Sequence, residues 1–267
     1  MIASLFDLTG RVALVSGAGR GMGRSSALAL AEAGADLVIC DRDSDTLHDT
    51  AAEMTDLGRR VVPVVCDITD VAQVRAMFER LDESFGRIDI LMNIPGSNHP
   101  VPPEQLTVEA FRQRVAGILV SKFCSCQEAG RRMLSQGKGS IVNMCSIAGV
   151  SALGRGNFAY SVAMGGVAQM TRELSTEWSG RGVRVNAILP SQIANPGLEA
   201  RMAQDPPLRD TFLRGIPLGR LGVPDDIRGL AVFLASDASS FITGALIPLD
   251  GGNLAKNAGG SHTVAGS

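Results

Sequence analysis

Short, almost wholly apolar runs alternate with longer stretches of helical period from one end of this chain to the other, and that alternation restricts the fold most. The runs lie at residues 12–16, 37–40, 61–65, 88–93, 140–144, 183–189 and 245–249, and their interiors carry few polar side chains. A strand wetted on one face alternates polar with apolar residues, whereas a strand covered by helices on both faces does not. Between the runs, residues 22–33, 45–57, 71–85, 108–134, 157–179 and 225–235 show helical spacing. Strand and helix in repetition predict an α/β fold: a doubly wound, seven-stranded parallel sheet with helices on both faces. The 267 residues suit one domain over 1–252, with a Gly/Ala/Ser-rich tail at 253–267.

Local signals mark several helix ends. Gly34 and Gly58 stand where helices should stop, Thr107 can cap an N-terminus, and Pro224 falls at a helix start. Residues 191–223 form the longest irregular stretch, with a short helix expected around 198–203. Segments of that length inside a compact domain usually serve as lids or binding loops.

The formal net charge is −2 and no basic stripe is present, which argues against a nucleic-acid partner. No apolar run approaches the roughly 18 residues of a membrane span, and residues 1–10 lack the pattern of a secretory signal. A cytoplasmic location is expected. Cys40, Cys66 and Cys145 lie in apolar, strand-like stretches, while Cys124 and Cys126 are two apart in a helical pattern and point to different faces. All five are read as reduced core residues, and no metal site is expected.

Between the first strand and the first helix stands Ser16-Gly17-Ala18-Gly19-Arg20-Gly21-Met22-Gly23. Glycines permit the sharp turn and let a pyrophosphate approach the backbone, and the helix that follows offers free N–H groups and the positive end of its dipole. Strand, turn and helix in this order point to a bound dinucleotide. Asp41 closes the second strand about 20 residues on, where a carboxylate accepts both ribose hydroxyls and repels a 2′-phosphate. That favours NAD. Arg20 and Arg42 lie close in sequence and leave NADP open, since either could receive a phosphate.

Further motifs follow in a fixed order: Cys66-Asp67-Ile68 after the third strand, Asn93-Ile94-Pro95-Gly96 after the fourth, and Ser140 to Gly149 around the fifth, carrying Ser146. Tyr160 opens the next helix, Val183 to Pro190 forms the sixth strand with Ile193 beyond it, and Gly219–Gly222 and Leu249–Gly252 complete the series. Over nearly its whole length the chain resembles the short-chain dehydrogenase/reductases. The resemblance implies a Rossmann fold and a nicotinamide-dependent reaction on a carbonyl/alcohol pair, with Ser146 and Tyr160 as catalytic residues. By the same resemblance the cofactor is held by Gly17, Arg20, Gly21, Met22, Asp41, Asp67, Ile68, Asn93, Tyr160, Pro190 and Ile193. It also implies a homotetramer or homodimer packed through the long helices, to which the small-residue stretch 165–170 is suited.

Three positions depart from the family pattern. A lysine is expected one helical turn after the tyrosine, and Met164 stands there; an asparagine is expected in the long helix after the fourth strand, and Ile118 takes its place. Pro95 removes a backbone N–H from the loop beside the cofactor. In the family the tyrosine exchanges a proton with the substrate oxygen, the serine holds that oxygen, and the lysine lowers the tyrosine pKa. Without a neighbouring cation a tyrosine titrates near ~10 and is only about 0.1% phenolate at neutral pH. Oxidation, which needs the base, should suffer more than reduction, which needs only a proton donor.

Of the lysines Lys122, Lys138 and Lys256, Lys122 lies one turn after Ile118; it is either a surrogate cation or, as the general behaviour of lysine favours, a surface or subunit-interface residue. His99 is either an ordinary loop histidine or a proton-transfer group. Residues Ile94, Arg155 and 191–223, together with Ser146 and Tyr160, are expected to line the substrate pocket. Two functions therefore stand: an NAD(H)-dependent oxidoreductase biased to reduction, or an NAD(H)-binding protein of little turnover with a regulatory or partner-subunit role.

Overall fold

The computed structural model describes residues 2–96 and 98–257. Seven parallel strands form one sheet in the order β3-β2-β1-β4-β5-β6-β7. The strands are β1 (Val12–Ser16), β2 (Asp36–Asp41), β3 (Val61–Val65), β4 (Ile90–Asn93), β5 (Gly139–Met144), β6 (Val183–Pro190) and β7 (Leu246–Leu249). Every residue of β1, β4 and β5 is buried, as the apolar runs required, while the edge strands β3 and β7 are more open. Pro63 and Pro248 sit in those edges, where a missing N–H costs least. Strand β4 starts two residues later than its apolar run, because the buried Asp89 carboxylate turns aside to accept the Val12 N–H at 2.8 Å and the Arg87 guanidinium at 2.6 Å.

The helices are α1 (Gly21–Glu32), α2 (Ser44–Asp56), α3 (Val71–Phe85), α4 (Val108–Val115), α5 (Ser121–Gln136), α6 (Phe158–Trp178), α7 (Pro196–Gln204), α8 (Pro206–Arg214), α9 (Arg228–Ala235) and α10 (Asn253–Asn257). Gly34 and Gly58 follow α1 and α2 with φ of 105° and 77°, and Thr107 caps α4 by accepting the Ala110 N–H. One apolar layer packs α1 and α9 on the sheet around Leu30, Leu37, Ile90 and Leu234, and another packs α3 and α5 around Phe78, Leu91 and Met133.

Two differences from the sequence reading matter for the site. The long helix over 108–134 is interrupted by a π-helical turn at Ala116–Val120, which carries Ile118 inward. The stretch 191–223 holds two helices rather than one; α8 opens on Pro206 and Pro207, where the absent N–H groups are unused by a helix anyway. The start of the expected tail forms α10, and residues 258–267 lie outside the described residues.

The chain direction across the sheet reverses between β1 and β4. In an open parallel sheet such a switch point leaves a crevice beyond the carboxyl ends of the strands. A cleft of about 720 Å³ opens there.

Candidate active site

One end of the cleft is made by the glycine turn. Gly17 has φ 70°, and a Cβ on it would lie 2.8 Å from Pro95 Cγ. A Cβ on Gly23 would collide with the Gly17 carbonyl, so α1 packs directly on the turn. Arg20, the N-cap of α1, makes no side-chain cap hydrogen bond, which leaves the first N–H groups of the helix open towards the cleft. Gly21 begins the helix with φ 56°, and a Cβ there would meet open space. These are the features of a pyrophosphate cradle. The residues fit a dinucleotide.

At the same end the Asp41 carboxylate accepts the Gly19 N–H and the Asp43 N–H, each at 3.1 Å, so its orientation is set before any ligand arrives. Arg20, Met22, Asp41, Arg42, Asp67 and Ile68 all line the cleft. Asp67 is fixed by accepting both the N–H and the hydroxyl of Thr69, at 2.9 and 2.8 Å.

The other end is built by β5, β6 and α6. The chain leaves β5 through Cys145, whose thiol donates to the Met164 carbonyl at 3.3 Å. Gly149 rests against that same carbonyl, where any Cβ would approach to 2.7 Å. This docking holds the turn after β5 on the first coils of α6, and it brings Ser146 to Tyr160. Ser146 and Tyr160 both line this end of the cleft, and Ser146 Oγ accepts the Ala148 N–H at 3.2 Å. Burial pushes the Tyr160 phenol above its ordinary value of 10, and only the neighbouring Ser146 hydroxyl opposes that rise. No cation contributes. Tyr160 is therefore a proton donor at neutral pH.

Met164, 2% exposed, fills the position one turn beyond Tyr160, and a Cβ on Gly96 would touch its Cε at 3.0 Å. Pro190 and Ile193 line the cleft from the end of β6. Asn93 does not: its side chain is buried under the floor, where Nδ2 donates to the Lys122 carbonyl at 3.0 Å and to Asn143 Oδ1 at 3.2 Å.

Lys122 is a correction to the sequence reading. It is fully buried, not on the surface, and its Nζ donates to the Asn93 carbonyl at 2.7 Å. Burial brings its pKa down from 10.5 to about 8. Arg155 is a second correction. It lies outside the cleft lining, at φ 55° between Gly154 and Gly156, with its guanidinium 5.1 Å above the Phe212 ring of α8.

The substrate end takes its shape from two loops tied together. Asn98 Nδ2 donates to Asn157 Oδ1 at 2.5 Å, and the Val101 N–H donates to the Gly156 carbonyl at 2.9 Å. His99 lines the cleft mouth, and Arg114 Nη1 lies 3.1 Å from its Nδ1. A guanidinium can only donate, so Nδ1 accepts and the ring proton stands on Nε2. Asn195, within the 191–223 stretch expected here, also lines this end while capping α7 through the Leu198 N–H. Among the described residues no group of His, Cys, Asp and Glu side chains could hold a metal, and all five cysteines are free and buried.

A family profile described as enoyl-(acyl carrier protein) reductase matches residues 17–253. The chain belongs to the short-chain dehydrogenase/reductase family. It is 39% identical over 247 residues to D-threitol dehydrogenase of Mycolicibacterium smegmatis, covering 92% of this chain and 94% of that protein. It is 37% identical over 252 residues to galactitol 2-dehydrogenase (L-tagatose-forming) of Cereibacter sphaeroides, covering 93% and 97%. Its fold matches the crystal structure of a gluconate 5-dehydrogenase from Burkholderia cenocepacia in complex with NADP and tartrate, with TM-score 0.89, 32% identity and coverage of 96% and 99%. The chain is accordingly a dehydrogenase/reductase acting on an alcohol/carbonyl pair with a nicotinamide cofactor, and the reading as a protein of little turnover is not favoured.

Proposed function

We propose that this chain is an NAD(H)-dependent oxidoreductase that interconverts a hydroxyl and a carbonyl on a small polyhydroxylated molecule, with reduction the easier direction near neutral pH. The observation that carries the reading is the Ser146–Tyr160 pair, which lines one end of a cleft whose other end is a glycine cradle. When bound, the nicotinamide supplies or accepts the hydride. Ser146 holds the substrate oxygen, and Tyr160 gives it a proton in reduction or takes one in oxidation. The raised pKa of Tyr160 supports the directional bias: the donor form is abundant at pH 7 and the base form is scarce.

Asp41 supports NAD, because a carboxylate already oriented by two backbone N–H groups suits a ribose diol and opposes a phosphate. Arg20 and Arg42 line the same end and are the residues through which NADP would compete. The names of the relatives, a threitol and a galactitol dehydrogenase, point to the substrate class. The Nε2–H of His99 and the amide of Asn195 are positioned as partners for further hydroxyl groups.

A homo-oligomer built through the long helices is part of this reading. It rests on Phe123 of α5 and Val162 of α6, which are 42% and 44% exposed, rather than on Gly166, which packs against its own Leu119. The free, buried cysteines suit the cytoplasm, and no described helix is long and apolar enough to cross a membrane. Isothermal titration with NADH and NADPH, followed by a panel of polyols and ketoses, tests the proposal. NADH should bind at least about tenfold more tightly, a difference of about 1.4 kcal/mol. Equal or reversed affinities would refute the choice of cofactor, and binding without turnover across the panel would refute the activity.

A further inference from the structure

The inward face of α5 continues the stripe Ile118, Cys126, Ala129 and Met133, and Lys122 stands in the middle of it at 0% exposed. Other buried charges have evident partners: Asp89 is paired with Arg87, Glu128 with Arg131 and Arg132, and Asp250 accepts two backbone N–H groups. Lys122 pairs with no carboxylate among the described residues. An uncompensated buried ammonium weakens a fold, and a methionine of similar volume would fill the same space without that penalty. Packing alone does not explain this residue.

What it touches does. Its Nζ donates at 2.7 Å to the Asn93 carbonyl, the last of β4, and the Asn93 amide returns a bond to the Lys122 carbonyl at 3.0 Å. The next N–H along, that of Ile94, donates to Ser16 Oγ at 3.1 Å, and Ser16 leads directly into the glycine turn. The Asn93–Ile94 peptide is thus gripped from both sides, by Lys122 below and Ser16 above. Immediately after it come Pro95, packed on Gly17, and Gly96, packed on Met164, both on the cleft wall between the cradle and Tyr160. Pro95 has no N–H with which to brace this wall.

We propose that Lys122 is a positioning residue for the oxidoreduction: its ammonium, anchored on the Asn93 carbonyl, fixes the 93–96 wall against which the cofactor is held. The inference rests on the oxidoreductase reading above. It makes cofactor affinity depend on the charge of a side chain that touches neither cofactor nor substrate.

The ionisable groups facing Lys122 are few. Its own helix offers Cys126 and the end of β5 offers Cys145; burial holds the first thiol at about 11 and raises the second, so both are neutral near pH 8. β4 and β5 present Asn93 and Asn143, and α6 meets this network through Thr171 and the Met164 carbonyl. The Lys122 proton itself is lost near pH 8. A neutral amine is a weaker donor than an ammonium, so the wall should loosen as the pH rises through that value.

Two variants and one pH series test this. Lys122→Met removes donor and charge, and Lys122→Gln keeps a neutral donor. The readouts are the thermal midpoint of the unliganded protein and the NADH dissociation constant from pH 6 to 9.5. The expected result is a Lys122→Met protein at least as heat-stable as wild type at pH 7 that binds NADH at least about fivefold more weakly, with partial recovery in Lys122→Gln. The stability difference has a definite sign. The folded lysine titrates near 8 and an unfolded one near 10.5, so wild type should gain stability on Lys122→Met as the pH rises between those values. Wild-type affinity should fall across pH 8 and that step should vanish in Lys122→Met. Unchanged affinity in a folded Lys122→Met, or a flat wild-type series, would overturn the inference while leaving the oxidoreductase reading intact. A wild type that bound neither NADH nor NADPH would overturn both.

Discussion

Placing a cation beside Tyr160 is the perturbation whose size the structure lets one work out most fully. Met164 lies one turn after Tyr160 on α6 and is 2% exposed. The phenol is held above 10 by burial, so less than roughly 0.1% of it is ionised at pH 7. An ammonium one turn away would lower it by about 1–3 units, and each unit multiplies the phenolate population tenfold. Met164→Lys should therefore raise the oxidation rate at pH 7 by about 10- to 1000-fold, or about 1.4–4 kcal/mol of barrier, with the gain shrinking towards pH 10. The opposing cost can be scaled from Lys122, whose pKa falls from 10.5 to about 8, or about 3 kcal/mol for a wholly buried amine. The variant should melt about 5–10 °C lower than wild type. Adding Ile118→Asn, on the π-helical turn, should exceed either change alone, because Ile118 and Met164 lie in one buried cluster. The assay is a pH–rate profile for alcohol oxidation with melts as controls. Folded variants that bind cofactor and gain nothing at pH 7 would show that the missing cation does not limit this protein.

Two other outcomes follow from named contacts. Asp41→Ser should remove the carboxylate that opposes a 2′-phosphate while Arg20 and Arg42 remain, shifting the NADH-to-NADPH affinity ratio at least about tenfold towards NADPH in paired titrations. The Asp226 carboxyl is held at about 2, first by the Arg220 guanidinium and then by the Val223 N–H; its contribution is present above pH 3.8 and lost as pH falls towards 2. Denaturant unfolding of Asp226→Asn should therefore show less stability change than wild type across that window.

Much of this was legible in the sequence because parallel strands leave a plain mark. The seven apolar runs fall on the seven strands, and the glycines at 17, 21 and 23 lie at the turn their spacing implies. Ser146 and Tyr160, fourteen residues apart, meet because a turn and a helix start are docked through Gly149 and Cys145. The burial of Lys122 was harder to read. The general habit of lysine placed it outside, yet positions 118, 122, 126, 129 and 133 form one helical face, and four of the five are apolar or sulfur-bearing. Periodicity carried the signal and residue type masked it. The second helix after β6 was missed because two consecutive prolines read as loop, although both sit in a first turn. Asn93 was expected beside the cofactor, and nothing in a single sequence says that its amide turns under the floor to meet α5.

The most direct measurement is the rate of ketone-dependent NADH oxidation by wild type and Tyr160→Phe at pH 7, alongside NADH affinity for each. In the proposed reaction the Tyr160 hydroxyl gives the proton, and it stands beside Ser146 at the end of the cleft away from the glycine cradle. Tyr160→Phe should keep NADH affinity within about threefold and lose about 10²–10⁴-fold in turnover. A Tyr160→Phe protein that reduced its ketone as fast as wild type would contradict the assignment of the proton to Tyr160.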